Sequence, residues 1–224
     1  MRAAARISGI KSQVPAQRSW LMQRIKAFRA SGYLEGQGPV VVWLGHLKLL
    51  KLVLQKRYSS ALILEDDVDW DTRVRNQTRL IAAAVRALLS EDDNGQAPYG
   101  SGWDVLWMGH CSDTANINRP MFTFRDHTAA PPNRYRSGSY GHVTMNALEG
   151  ERSVHYSENA ACSSAYAVSA KGAEKLLKLA SFGYGGTFTL MLVGACRAEE
   201  LICVSVDPEV FDPYHPAAGA FSDV

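Results

Sequence analysis

Short apolar runs along the chain alternate with longer segments in which apolar residues recur every three or four positions. Residues 40–58 are dense in Val and Leu, with Lys48, Lys51, Lys56 and Arg57 interspersed, and 44–58 reads as a mostly buried helix. Ser59 and Ser60 break it. Ala61-Leu62-Ile63-Leu64 then has the length and composition of a buried parallel strand. Residues 72–90 place Ile81, Val85 and Leu88 at helical spacing, with Asp71 positioned to cap the start. A polar stretch at 91–102 leads to a second apolar strand at 103–108, and a third is expected at 163–168. Ser169 can cap the helix that follows, where Ala173, Leu176, Leu177 and Ala180 share one face. Lys171, Lys175 and Lys178 lie on its other side and read as helix surface. A last strand is expected at 201–206, before an irregular tail. Strands alternating with helices predict an α/β domain with a mainly parallel sheet. Residues 112–158, rich in Pro, Asn, Arg, Ser and Gly, show no clear period and read as one long loop, functional or disordered.

Composition changes this picture only a little. With 46% apolar and 21% charged residues among 224, the chain is an ordinary globular one and not a mainly disordered one. No run of eighteen apolar residues occurs, so no membrane span is expected. The net charge of +2 conceals a split: residues 1–34 carry seven basic groups and no acid. Such a start resembles an organelle transit peptide in composition, or a phosphate- or membrane-facing arm; a solvated helix or mobile tail is the plainer alternative. Gly36-Gln37-Gly38-Pro39 divides this basic segment, 1–39, from a domain at 40–224. As the only basic concentration, it lends little support to nucleic-acid binding. The four cysteines have no Cys-x-x-Cys spacing, which argues against structural zinc and against a disulfide scaffold. Cys196 and Cys203 are near enough in sequence to pair in an oxidising compartment, but buried free thiols are the expectation.

The sharpest chemical feature is Glu65-Asp66-Asp67-Val68-Asp69-Trp70-Asp71, five carboxylates in seven residues directly after an apolar strand. In open α/β sheets ligands bind beyond the carboxyl ends of strands, where these acids would lie. Carboxylates crowded together repel unless a cation neutralises them, and oxygen donors suit Mg²⁺ or Mn²⁺ with phosphate as a further ligand. A metal–diphosphate site is the physical reading; an exposed acidic turn capping the next helix is the alternative. A calcium loop is excluded, because Thr72 stands where the sharp turn needs Gly and Thr78 where the bidentate Glu belongs. An aspartate-nucleophile phosphohydrolase fits Asp67-Val68-Asp69, but Trp70-Asp71 departs from the small-residue turn expected next.

The segment SSALILEDDVDWD, followed some thirty residues later by YGSGWDVLWMGHC, resembles glycosyltransferase family 25, especially its fungal branch. Trp43, His46 and Leu47 match its W-x-x-H-L helix start, and residues 162–177 resemble its A-Y-x-x-S-x-x-G-A-x-K-L-L block. The tail, with Asp207 to Phe211, His215-Pro216 and Ser222-Asp223, resembles its closing pieces. The resemblance covers residues 40–224. It implies a GT-A-like, single Rossmann-type nucleotide-sugar domain that moves a hexose, usually galactose, from a UDP-sugar to a glycan or glycoprotein acceptor with inversion. It implies Mn²⁺ or Mg²⁺ held by Glu65, Asp67 and Asp69, with His215 as an added ligand and Asp66 and Asp67 at the cofactor. Tyr166 is expected in the core. Inversion requires a general base. Thr189 stands where the family often has an acid, which leaves Asp113, just past the second strand, as the candidate. Residues 1–39 show nothing of the strand with which the family opens; its absence should expose a sheet edge and remove part of the nucleotide pocket. A non-catalytic relative is the alternative reading. Localisation stays open: the chain as written is soluble, and a fuller N-terminus would admit the secretory pathway or Golgi. Asn76-Gln77-Thr78 is a glycosylation sequon inside an expected helix.

Overall fold

The computed structural model describes residues 2–15, 26, 38–92, 97–111, 113, 115–116, 118–130, 149–183 and 186–213. In chain order the elements are α1 (Arg2–Ser8), α2 (Gly38–Gln55), β1 (Ser60–Leu64), β2 (Val68–Trp70), α3 (Val74–Leu89), β3 (Val105–Gly109), β4 (Met121–Arg125), β5 (Glu151–Tyr156), β6 (Ala165–Ser169), α4 (Ala170–Ser181), α5 (Phe188–Arg197), β7 (Cys203–Asp207) and β8 (Phe211–Pro213). Six strands form one sheet in the order β1-β6-β3-β7-β5-β4, and β2 pairs with β8 in a small second sheet.

The pleat of the central strands explains the layering. All five residues of β3 are buried. Val105 and Trp107 enter a core with Trp43 and Leu50 of α2, Leu176 of α4 and Phe188 of α5. Leu106 and Met108 enter the other core, with Val74, Ile81 and Val85 of α3, Trp70 of β2 and Phe211 of β8. Successive residues of a strand point to opposite faces, so a continuous apolar run needs helices on both sides.

The expected α/β class holds, but the sheet is mixed and mostly antiparallel, which corrects the mainly parallel sheet read from the sequence. Among the described residues only β3 and β7 pair in parallel; β1–β6, β6–β3, β7–β5 and β5–β4 are all antiparallel. A strand buried on both faces is continuously apolar whichever way its neighbours run, so the apolar runs carried no information on direction. Because β6 separates β1 from β3 and opposes both, β1, β3 and β7 still run the same way. Their carboxyl ends therefore share one edge with the starts of β6 and β5. Among the described residues β1 has a single neighbour and lies at the end of the sheet.

Other expectations change in detail. The span 112–158 is not one structureless loop: β4 and β5 lie in it and form the far side of the sheet. Four of the five residues of β4 are exposed, which is why its composition reads as loop. Residues 131–148 lie outside the described ones. The helix expected at 44–58 begins earlier, at Gly38, with Pro39 in the first turn, where a missing N–H costs nothing. It is long and apolar enough to cross a membrane by composition alone, despite Lys48 and Lys51. Val40, Trp43, His46, Leu50 and Val53 are buried against the protein, so one face packs on the core while most of the helix is only partly covered, which corrects the mostly buried helix expected.

α3 starts at Val74 behind Arg73, which offers no side-chain cap. Asp71 instead accepts from the Arg73 backbone N–H at 2.7 Å and pairs with its guanidinium. Ser169 caps α4 as expected, accepting from Gly172 N at 2.9 Å. Position 172 must be glycine here, since a Cβ would meet the Asp104 carbonyl oxygen at 2.2 Å. Lys175, expected on the helix surface, reaches the buried Asp104 carboxylate.

All four cysteines are paired, Cys111 with Cys162 and Cys196 with Cys203, which corrects the expectation of free thiols. The first pair spans 51 positions and was not legible from spacing. Part of the N-terminal segment is also packed: Ala5 joins the core, and Trp70 Nε1 donates to Ser8 Oγ at 2.9 Å.

Candidate functional site

The acid cluster sits at the shared edge, in the turn from β1 to β2. Glu65 is fixed at both ends: its N–H donates to the Ser164 carbonyl at 2.9 Å, and its Oε1 accepts from Ser163 Oγ at 2.7 Å. Thr189, in the first turn of α5, donates in turn to Ser163 Oγ at 3.3 Å. Burial pushes the Glu65 carboxyl up from its ordinary value; the Ser163 hydrogen bond opposes this, while the charges of Asp67 and Asp66 add to it. Asp66 and Asp67 are exposed in the turn. Strand alternation turns Asp69 outward between buried Val68 and Trp70 and sets its Cα opposite that of Asp212. Asp71 is committed to Arg73, whose hydrogen bond chiefly holds its pKa down.

Behind Glu65 lies an aromatic wall. The His46 ring stacks on Phe188 with centroids 4.2 Å apart, and its Nδ1 lies 2.9 Å from the Tyr166 hydroxyl. Burial lowers the His46 pKa to about 4, so the ring is neutral at pH 7. Its Nε2, 4.0 Å from Glu65 Oε1, is therefore a neutral neighbour of the carboxylate and not an ion-pair partner. A proton on Nε2 lets Tyr166 donate to Nδ1. Tyr166 is fully buried, as expected, and burial raises its pKa well above the ordinary value.

Asp113 is buried and accepts from Ser157 Oγ at 2.8 Å, Asn159 N at 2.7 Å and Glu158 N at 3.2 Å. Those donors make it an anchor for the turn at 157–159, and no general base is thereby assigned. His215 lies outside the described residues. Among the described residues, Glu65, Asp67 and Asp69 do not form a trio with converging ligand atoms.

A second polar group at the same edge was missed by the sequence reading. Asp207, at the end of β7, accepts from His155 Nε2 at 2.8 Å through Oδ2, and its Oδ1 lies 3.4 Å from His110 Nε2. Burial opposes a charge on His155, but the hydrogen bond and charge of Asp207 outweigh it and raise its pKa. The same balance holds at His110, where burial is outweighed by Asp207, Glu209 and Asp113. Nearby, Arg152 pairs with Asp126 at 2.8 Å, both buried. The signal that could have found the group is the one used for the acid cluster: His110 and Asp207-Pro208-Glu209 directly follow apolar strands. A cavity of about 450 Å³ opens at the opposite edge, beside Tyr156, Ile202 and Cys203, and touches none of the expected site residues.

No protein-family model matches the chain, and the curated proteins contain no significant match to it.

Proposed function

We propose that the chain is a metal-dependent glycosyltransferase that moves a hexose, galactose by its sequence resemblance, from a UDP-sugar to a glycan or protein hydroxyl with inversion. The observation that carries this reading is the carboxylate turn at the end of β1, open to solvent through Asp66 and Asp67 and tied to the front of β6 through Ser163 and Glu65. The donor set has the chemistry a hard divalent cation takes, oxygen ligands and several like charges, but the ligand atoms of Glu65, Asp67 and Asp69 would have to draw together to hold one. In this reading Glu65, Asp67 and Asp69 hold Mn²⁺ or Mg²⁺, with Asp66 toward the nucleotide. A bound ion would neutralise the diphosphate and the charge developing on departing UDP. The chain's own part is orientation: Ser163 fixes the Glu65 carboxylate, and the His46–Phe188–Tyr166 wall closes its rear to water. Both disulfides support folding in an oxidising compartment, in keeping with the secretory pathway.

A second reading, a non-catalytic relative, is favoured by Thr189, a hydroxyl that cannot serve as a base at neutral pH, placed against Ser163. One experiment tests the site under both readings: thermal unfolding with Mn²⁺, with UDP, and with both. At 100 times its dissociation constant a ligand stabilises by about 2.7 kcal/mol, or roughly 5–10 °C for a chain this size. A shift requiring both ligands and lost in Asp67→Asn/Asp69→Asn supports a metal–nucleotide site; turnover of UDP-galactose then separates enzyme from relative. No shift with any combination removes the transferase reading.

A further inference from the structure

The buried group at the ends of β3 and β7 has chemistry of its own. Ligand-type atoms of His110, Asp207 and Glu209 all lie within 4.8 Å of one another. His110 and Asp207 are almost wholly buried, at 2% and 0% exposure. Interior ionisable groups are costly unless paired or bound to a metal.

Three features organise these residues as ligands. First, both nitrogens of His155 face acceptors: Asp207 Oδ2 at 2.8 Å and the Tyr156 carbonyl at 2.9 Å. The ring thus holds Asp207 by Oδ2, so that Oδ1 is directed to His110. A ligating carboxylate oriented by an outer hydrogen-bond partner is the usual support of a protein metal site. Second, His110 Nε2 is 3.1 Å from the Val206 carbonyl, while Nδ1 is buried with no hydrogen-bond partner among the described residues. Nε2 is also the nitrogen that faces Asp207 Oδ1, at 3.4 Å, so an ion held between the two would take the place of its proton and leave the ring's N–H at Nδ1. Third, the segment carrying Glu209 is pinned from both sides. Arg152 Nη1 donates to the Pro208 and Glu209 carbonyls, and Val210 N donates to Met108 O at 2.8 Å. Gly109 admits this segment across the end of β3, since a Cβ there would meet the Phe211 carbonyl oxygen at 2.4 Å.

We propose that His110, Asp207 and Glu209 form a buried site for one divalent transition-metal ion, Zn²⁺ in preference to Mn²⁺, distinct from the carboxylate turn at Glu65–Asp67. One imidazole and two carboxylates make a mixed nitrogen–oxygen donor set, which suits zinc better than magnesium or calcium. The ion would clamp the end of β3 to the chain beyond β7. The site does not depend on the transferase reading.

The test is equilibrium dialysis of the chelator-stripped, disulfide-intact chain against Zn²⁺ alone and, separately, Mn²⁺ alone, with bound metal measured by mass spectrometry. A tightly held Zn²⁺ at this site is expected in the wild type, in addition to any ion at the carboxylate turn, and bound more tightly than Mn²⁺. His110→Gln and Glu209→Gln should each weaken Zn²⁺ at least tenfold, and Asp67→Asn/Asp69→Asn should leave it unchanged. The proposal is overturned if the wild type binds no Zn²⁺, if folded His110→Gln and Glu209→Gln bind it as the wild type does, or if the loss follows Asp67→Asn/Asp69→Asn instead. Should the first two variants fail to fold, Cu²⁺ in the Asp67→Asn/Asp69→Asn chain provides a second reading. Nitrogen hyperfine coupling in its electron paramagnetic resonance spectrum that persists when His127, His142 and His215 are also replaced by Gln sustains the site, and an all-oxygen spectrum removes it.

Discussion

The Ser163 hydroxyl donates to Glu65 Oε1 across 2.7 Å, joining the segment before β6 to the carboxylate turn after β1. The two residues are far apart in sequence, and their bond sets which way the first acid of the cluster points. Thr189 completes the chain of hydroxyls from α5.

Ser163→Ala removes a hydrogen bond to a charged group that is partly shielded from water. A loss of about 1–2 kcal/mol in stability is expected from urea unfolding. Without this donor Glu65 loses the one contribution that lowers its pKa, so the carboxyl should titrate at still higher pH. The thermal shift produced by Mn²⁺ with UDP should shrink in parallel. An unchanged shift would separate Ser163 from the ligand site.

The disulfides should dominate the response to reductant. Chain-entropy arguments assign about 4 kcal/mol to a bridge spanning 51 positions and about 2 kcal/mol to one spanning 7. Cys111→Ser/Cys162→Ser should therefore cost more than Cys196→Ser/Cys203→Ser in unfolding experiments. Alkylation under native, non-reducing conditions should add no mass to the wild type. Labelling of any cysteine without reduction would contradict the pairing.

How far the sequence disclosed this arrangement depends on the range of the interactions involved. β3 was legible because burial on both faces demands an apolar run, β1 because its short run is apolar although only Ile63 is buried, and α4 because its cap and apolar stripe are local. Strand direction was hidden, since Ala165–Ser169 reads the same beside parallel or antiparallel partners. Met121–Arg125 was hidden because an exposed strand at the sheet's end has no apolar face to show. Among the site residues, the acid cluster is a local motif and was visible at once. His110 and Asp207 are brought together only when β3 pairs with β7, and no local pattern records that pairing.

His46 gives the fold an acid sensitivity whose sign is fixed. Its folded pKa, about 4, lies below the ordinary 6.5, so between those values the unfolded chain binds the extra proton. Stability should fall as pH drops through this window, by about 3 kcal/mol in total for this residue. Glu65, with a raised pKa, acts in the opposite direction at the acid end, so the comparison must be between chains. The difference in unfolding free energy between the wild type and His46→Phe should vary with pH between 6.5 and 4. It should be flat above that range. His46→Phe keeps the stack on Phe188 but removes the partner of Tyr166, a constant cost that shifts the curve without tilting it.

The Asp126–Arg152 pair tests whether the carboxyl edge of the sheet is held by charge. The two side chains are 2% and 1% exposed, and their contact joins the end of β4 to the start of β5 at 2.8 Å. Asp126 also accepts from the Thr128 backbone N–H at 2.9 Å and from its hydroxyl. Removing one partner of a buried pair strands the other charge, at a cost of about 3–5 kcal/mol, whereas replacing both with apolar residues of similar volume is often neutral. Asp126→Ala should therefore destabilise strongly, and Asp126→Leu/Arg152→Met much less. The order would reverse if Arg152 acted mainly through its backbone partners. It also donates to the Pro208 and Glu209 carbonyls, and the double variant would leave both of those acceptors without it. A double variant as unstable as Asp126→Ala, measured by urea midpoint, would therefore assign the cost to the β7–β8 segment and not to the ion pair.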